Sequence, residues 1–173
     1  MSAISTYKEP KDILSKLLRE GRRTWLSDSI EDKSDHFFNY CVTAHSLRDW
    51  CIKHLQLSGS DVSLFHEEMN SLSFLAECRD IANSSKHFKL ADTLVSSAFP
   101  THSKFATITG EEHQTDYEIT KRLDIEIALS NGSTIDLFLF LHHTSSSWID
   151  VLRRKGIPTE DGFDTSYMFI EYR

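Results

Sequence analysis

The sequence predicts an α+β fold in which a helical amino-terminal half packs against a small antiparallel β-sheet, with a further helix near the carboxyl terminus. Apolar residues recur at helical spacing through positions 10–90, and from Tyr117 to Leu129 the odd positions are apolar except Lys121 and the even ones mostly charged or Thr. The length of 173 residues suits one domain, and eleven phenylalanines and three tryptophans are enough to build its core. A single domain is therefore expected, with its helical part at 10–90 and its hairpin sheet and last helix at 104–173.

Pro10 suits the first position of a helix and Gly21 the position just past its end, so helix one is expected from Lys11 to Glu20. Ile13, Leu14, Leu17 and Leu18 form its apolar stripe. The longest helix is expected from Ile30 to Gln56, ended by Ser58 and Gly59. At about 100° per residue, Phe37, Phe38, Cys41, His45, Arg48, Ile52 and Leu55 fall in one sector of it, with two polar residues in mid-stripe. Asp61 reads as the N-cap of a short helix reaching Glu68. Helix four is expected from Ser71 to Phe88, with Phe74, Leu75, Cys78, Ile81 and Ala82 on its apolar side. Arg79, Asn83, Lys86 and His87 share a different side.

Residues 91–103 lack a period and contain Pro100, which reads as a connecting loop before a short strand from Phe105 to Thr109. The alternation of Tyr117 to Leu129 is that of a half-buried strand, and Asn131-Gly132 marks the turn into another, Thr134 to His142. A two-residue turn would set Ile127 opposite Asp136 and mix the two faces. A three-residue loop, Ser130-Asn131-Gly132, sets Ile127 opposite Ile135 and Ile125 opposite Leu137. A one-residue slip exchanges the faces, so burial selects the longer loop, with Gly132 left-handed. Thr144-Ser145-Ser146-Ser147 supplies an N-cap for helix five, Ser147 to Lys155. Arg153, Arg154 and Lys155 suit its end, Gly156 its stop and Pro158 the position beyond. Trp148, Ile149 and Leu152 are expected to cover the hairpin. Ser166 to Tyr172 is apolar enough to be a last strand or a partner-binding arm.

Acidic residues outnumber basic ones by 26 to 19, a net charge of −7, which excludes a generic polyanion binder. Residues 1–25 carry six basic and three acidic groups and residues 27–80 four and ten, which reads as solvated helix faces. The amino terminus lacks the apolar core of a signal peptide, and the longest apolar run is Leu137 to Leu141. A soluble, cytoplasmic chain with no membrane contact is expected. Cys41, Cys51 and Cys78 lack metal-ligand spacing and lie in apolar helical patterns, as reduced buried thiols do. His142 and His143, adjacent on a strand, would point to opposite faces. His66-Glu67-Glu68 and Glu111-Glu112-His113 lack partners at zinc-like spacing. No metal site is expected and, in the absence of GxGxxG, GxxxxGK[ST] and GxSxG, no cofactor. Phe138 and Phe140, on the less apolar side of their expected strand, are either covered by helices or an interaction patch.

Two constellations could carry chemistry. Arg79, Asn83 and His87 are spaced i, i+4, i+8 and stack along one side of helix four over about 12 Å of axis. Arginine grips a phosphate with its planar fork, histidine moves protons near neutral pH, and asparagine orients either group. The three suit metal-free cleavage of a phosphodiester; the plain alternative is a helix side facing water. His45 and Arg48 form the second constellation. A buried arginine must find an anion or carbonyls, and the structural candidates are Asp35, Asp49 and Asp80. The sharper alternative is a cleft lined by His45, Arg48, Arg79 and His87.

The run RDIANSSKHF, Arg79 to Phe88, resembles the motif of the HEPN superfamily, small helical domains that often cleave RNA. That motif is an arginine followed by Asn or Asp, then a histidine after four to six intervening residues. Arg79-Asp80 matches its start, and His87 follows after seven. The resemblance spans residues 10–90. It implies a helical core, dimerisation that brings two motifs together, and metal-independent ribonuclease chemistry in which Arg79 holds the phosphate and His87 moves the proton. Many such domains are instead non-catalytic binding modules of mobile-element and defence systems.

Two functions are therefore expected to compete. One is a HEPN-like interaction module whose contact surface is the sheet edge, Phe138 and Phe140, or the carboxyl-terminal tail. The other is a toxin-type, dimeric ribonuclease, with Lys86, Lys89 and Lys104 near the motif to attract RNA. The acidic balance favours the first.

Overall fold

The computed structural model describes residues 4–84, 93–109, 116–159 and 164–170. Helix α1 (Pro10–Leu26) begins at Pro10 as expected, and Asp12 accepts from the Lys8 and Glu9 amides at 2.7 and 2.9 Å. It runs through Gly21 rather than stopping there. Gly21 is buried, and a Cβ on it would run into Met168 Sδ and lie 3.1 Å from Tyr40. The missing side chain serves close packing, and the apolar stripe continues across it to Trp25.

Helix α2 (Ile30–His54) buries Phe37, Tyr40, Cys41, Ala44, Leu47 and Cys51. It ends with Gln56 in the left-handed conformation and Leu57 N donating to Ile52 O, so the stop precedes the expected Ser58-Gly59. Helix α3 (Ser60–Asn70) is capped by Gly59, not Asp61. Helix α4 (Leu75–Ser84) starts later than Ser71, because Phe74 turns the chain with a φ of 59°. Stacking on Phe140 at 5.3 Å and the Arg48 bond to Leu75 O hold that turn. The expected continuation of α4 to Phe88 lies outside the described residues.

Of the expected loop 91–103, residues 95–103 are strand, and 91–92 lie outside the described residues. Strand β1 (Val95–Thr109) pairs antiparallel with β2 (Asp116–Leu129), and Pro100 is tolerated because β1 is an outer strand. The three-residue loop Ser130-Asn131-Gly132 forms as expected, with Gly132 at φ 85° and Ile127 opposite Ile135. Strand β3 (Thr134–Asp136) then stops after three residues. Asp136 accepts from Leu139 N at 2.8 Å and caps helix α5 (Leu137–Arg154), so Leu137 is helical and never pairs with Ile125. Residues 137–142, expected as strand, and the expected cap at Thr144–Ser147 all lie inside this helix. Helix α5 ends as foreseen, with Gly156 at φ 66° and Ile157 N donating to Leu152 O.

The fold is thus α+β: five α-helices and a three-stranded antiparallel sheet of order β1-β2-β3 among the described residues. The core gathers α1, α2, α4 and α5 over Ile125 and Ile127 of β2. Tyr40 is fully buried, its hydroxyl donating to Leu141 O at 2.9 Å and lying 2.8 Å from Ser145 Oγ. Phe140 packs edge-on to Phe37, while Phe138 stays exposed beside Trp25 and Phe169. The three cysteines are free and buried, and burial pushes the Cys51 thiol up to about 12. Over residues 164–170 the tail is neither strand nor free arm, and Glu171 and Tyr172 lie outside the described residues. A 3-10 turn (Thr165–Met168) seats Met168 on Gly21, and Arg22 donates to the carbonyls of Tyr167 and Ile170. Among the described residues, no helix is long and apolar enough to cross a membrane.

Candidate functional site

The polar side of α4 meets α2 and α3 in one cluster. Arg79 Nε and Nη2 both donate to Asp80 Oδ1, at 3.0 and 2.8 Å, and Asp80 Oδ2 accepts from Leu94 N at 2.7 Å. Asn70 Oδ1, at the end of α3, accepts from Arg48 Nη1 at 2.6 Å and from Arg79 Nη1 at 3.4 Å. Arg48 Nη2 donates to Leu75 O at 2.8 Å. Burial, then the neighbouring Arg79, pushes the Arg48 guanidinium down from its usual pKa, but an arginine stays charged in proteins.

The two terminal nitrogens of Arg48 therefore bond Asn70 and a carbonyl, not Asp35, Asp49 or Asp80, while its buried Nε has no hydrogen-bond partner. The Nε–Nη2 edge of Arg79, which would grip a phosphate, grips the Asp80 carboxylate. These bonds tie α2, α3, α4 and the start of β1 together, which is a fastening role. Asn83 is half-buried one turn beyond Arg79, and His45 is half-buried on α2. His87 and Lys86, like Lys89, lie outside the described residues. A groove of 320 Å³ is lined by Leu72, Ser147, Asp150, Arg153 and Arg154 and another of 340 Å³ by Leu57, Phe65, Glu68 and Lys155 among others, and neither is lined by Arg48, Arg79 or Asn83.

Two clusters escaped sequence reasoning. Lys33 is fully buried at the end of α1, donating to Thr24 O at 2.8 Å and Trp25 O at 3.2 Å. Its signal was present, since at about 100° per residue position 33 falls in the sector of Phe37, Ala44 and Arg48. Glu20, also buried, holds Lys16, Arg23 and His36 at 3.6, 2.9 and 3.3 Å. His142 and His143 sit on α5 and not on a strand, and among the described residues no three metal-ligating side chains gather.

The second candidate is the β1–β2 hairpin. Its ladder joins 14 residue pairs, from Val95–Leu129 to Thr109–Asp116, a span of about 45 Å at 3.3 Å per residue. Strand β3 covers only Glu126 to Ala128 of β2. The root is fastened: Ile125 and Ile127 are core residues, Asp124 accepts from Ser103 Oγ, and Arg122 lies over the Trp25 ring at 4.3 Å. Outward, Lys104 and Lys121 are exposed opposite one another, and Ile119 is 62% exposed. Among the described residues the ladder beyond β3 is two-stranded, an arm. No family model, curated protein or solved structure matches this chain.

Proposed function

We propose that this chain is a HEPN-like interaction module of the mobile-element or defence type, and that the β1–β2 arm is its contact element. The observation that carries this reading is the exposure of Lys104, Ile119 and Lys121 on a long ladder whose β2 strand meets β3 at Glu126 to Ala128. A lone two-stranded ribbon is marginal in water and becomes stable when a third strand or an apolar surface joins it. The free edges of the arm are also the backbone template for strand addition. A net charge of −7 favours a protein over RNA as the occupant. The alternative, a metal-independent ribonuclease, requires Arg79 to leave Asp80 before it can hold a phosphate.

A photoreactive phenylalanine analogue at position 119, expressed in cells, tests the reading against the same residue at Leu64, which is equally exposed on the body. A discrete adduct at 119 and none at 64 is expected. Equal labelling at both sites overturns the arm as the contact element. In parallel, wild type and Arg79→Ala are incubated with structured and single-stranded RNA without metal. No cleavage is expected from either; cleavage lost on Arg79→Ala replaces the module with the ribonuclease.

A further inference from the structure

We propose that the segment Asp164–Ile170 is a tethered ligand of the body. The slot it fills between α1 and α5 is a second contact site, which takes in its place a short segment of a partner protein. That segment carries an unbranched apolar anchor followed by an aromatic residue.

A missing side chain builds the slot. Gly21 opens α1 beside the Tyr40 ring, and the Met168 side chain enters that gap fully buried, with Ser145 Oγ donating to its Sδ at 3.6 Å. An unbranched, flexible thioether follows such a hole, where a β-branched side chain is too stiff. Phe169 lies on a shelf formed by Trp25 of α1 and Phe138 of α5, with ring centroids 5.1 and 4.5 Å away. Arg22 holds the segment by its main chain: Nη1 donates to Tyr167 O at 2.7 Å and to Ile170 O, and the guanidinium lies 5.0 Å from the centre of the Tyr167 ring. On the α5 side, Thr165 Oγ1 lies 2.8 Å from His142 Nδ1.

One deep anchor, one aromatic neighbour on a shelf and two carbonyls held by a body side chain are the parts of a peptide site. The anchor carries the affinity and the main-chain bonds set the register. The segment keeps its own shape through local bonds, Phe169 N to Ser166 O and Ser166 N to Asp164. Its bonds to Arg22, Ser145 and His142 all run through side chains of the body. Its departure therefore interrupts neither α1, α5 nor the sheet ladder.

The surroundings favour a larger occupant than the tail. Phe138, Leu139, Tyr167 and Ile170 stay 40–44% exposed around it, an apolar surface that the segment only half covers. The shelf adjoins the root of the arm, since Arg122 of β2 lies over the same Trp25 ring at 4.3 Å. A second copy of the chain is a poor occupant. Each copy supplies its own tail at an effective concentration of about millimolar, so an identical segment has no advantage over it. A partner segment with a wider footprint has one.

A fluorescein-labelled peptide of the sequence Asp164–Ile170, added to the full chain and read by anisotropy, tests this. In the chain, Met168→Asp puts a carboxylate into the apolar slot and releases the tail. That variant should bind the peptide at least about tenfold more tightly than wild type, whose own tail competes. The peptide carrying Met168→Asp should not bind, and the one carrying Met168→Val should bind more weakly. Adding Arg22→Ala to the Met168→Asp chain should weaken binding about tenfold or more, through loss of the charge-assisted bonds. In wild type, the Ser166 and Phe169 amides should exchange hydrogen at least tenfold faster than those of Tyr40 and Leu141, because the segment leaves while the body stays folded. A folded Met168→Asp chain that ignores the peptide overturns the proposal. So does a Met168→Asp chain that cannot fold, or a Phe169 amide that exchanges no faster than the core. A wild-type dimer in sedimentation velocity that Met168→Asp dissolves would mean tails exchanged between copies, and it overturns the partner as occupant.

Discussion

Gly21→Ala should destabilise the native chain and stabilise a chain that lacks the Met168 side chain. Two effects of opposite sign compete at this position. Alanine is better than glycine in a helix interior by about 1 kcal/mol. Against that, a methyl group here enters space filled by Met168 Sδ and the Tyr40 ring, and overpacking a core costs about 1–3 kcal/mol. Neither neighbour yields freely. Met168 and Tyr40 are fully buried, and the Tyr40 hydroxyl is held by Leu141 O and Ser145. The clash therefore wins, and the net loss is about 1 kcal/mol.

Met168→Ala alone should cost about 2–5 kcal/mol, the range for emptying a buried methionine site. In that background the Met168 clash is gone and the Tyr40 ring, 3.1 Å away, has room to give, so Gly21→Ala should stabilise by up to about 1 kcal/mol. Urea unfolding of the four proteins at one concentration measures the cycle, with an expected coupling of about 2 kcal/mol. Stabilisation by Gly21→Ala in both backgrounds would refute the reasoning, because it would mean that the tail does not rest on α1.

Three further outcomes are expected. Burial, then Arg122, lowers the Lys33 pKa from 10.5 to about 8. Below about pH 8 both folded and unfolded chains hold the proton, and the burial cost is fully present; between about 8 and 10.5 only the unfolded chain holds it, so stability rises with pH. Urea midpoints from pH 7.5 to 10 should show this rise in wild type and lose it in Lys33→Met. Asp80→Ala removes the acceptor for Arg79 and for Leu94 N, should destabilise by about 1–3 kcal/mol, and should speed hydrogen exchange at the Leu94 amide more than in β2. Gly132→Ala meets no atom within 4 Å, so its cost should be the backbone penalty alone, about 1–2 kcal/mol in thermal unfolding, with no dependence on Met168.

Punctuation and periodicity made much of this fold legible. Pro10, Gly156 and the three-residue loop before Ser133 each act through a local backbone preference, and local preferences can be read without knowing the neighbours. Gly21 misled because a helix stop and a close approach both use glycine, and only Met168, far along the chain, separates them. The α4 cluster was half legible for the same reason. A polar Arg79 and a buried Arg48 show in the helical period, but their common acceptor, Asn70, belongs to another helix and carries no pattern of its own. Pro100 argued against a strand, and that argument fails at an outer edge, where a missing donor costs nothing.

The decisive misreading concerns Ile135 to Leu141, and it bears directly on the arm. In that run Leu137, Leu139 and Leu141 satisfy a strand, while Leu137, Phe140 and Leu141 satisfy a helix. Asp136 decides between them by capping Leu139 N, and Thr144, Ser145 and Trp148 extend the helical period into the core. A strand continued to His142 in the register of Ile127 with Ile135 would have reached Thr120 on β2. The sheet would then have had three full strands and no two-stranded arm. Because the chain turns helical at Leu137, β3 leaves β2 at Glu126, and among the described residues the outer part of β2 pairs with β1 alone. The same carboxylate that starts α5 thus creates the open ribbon on which the interaction reading rests.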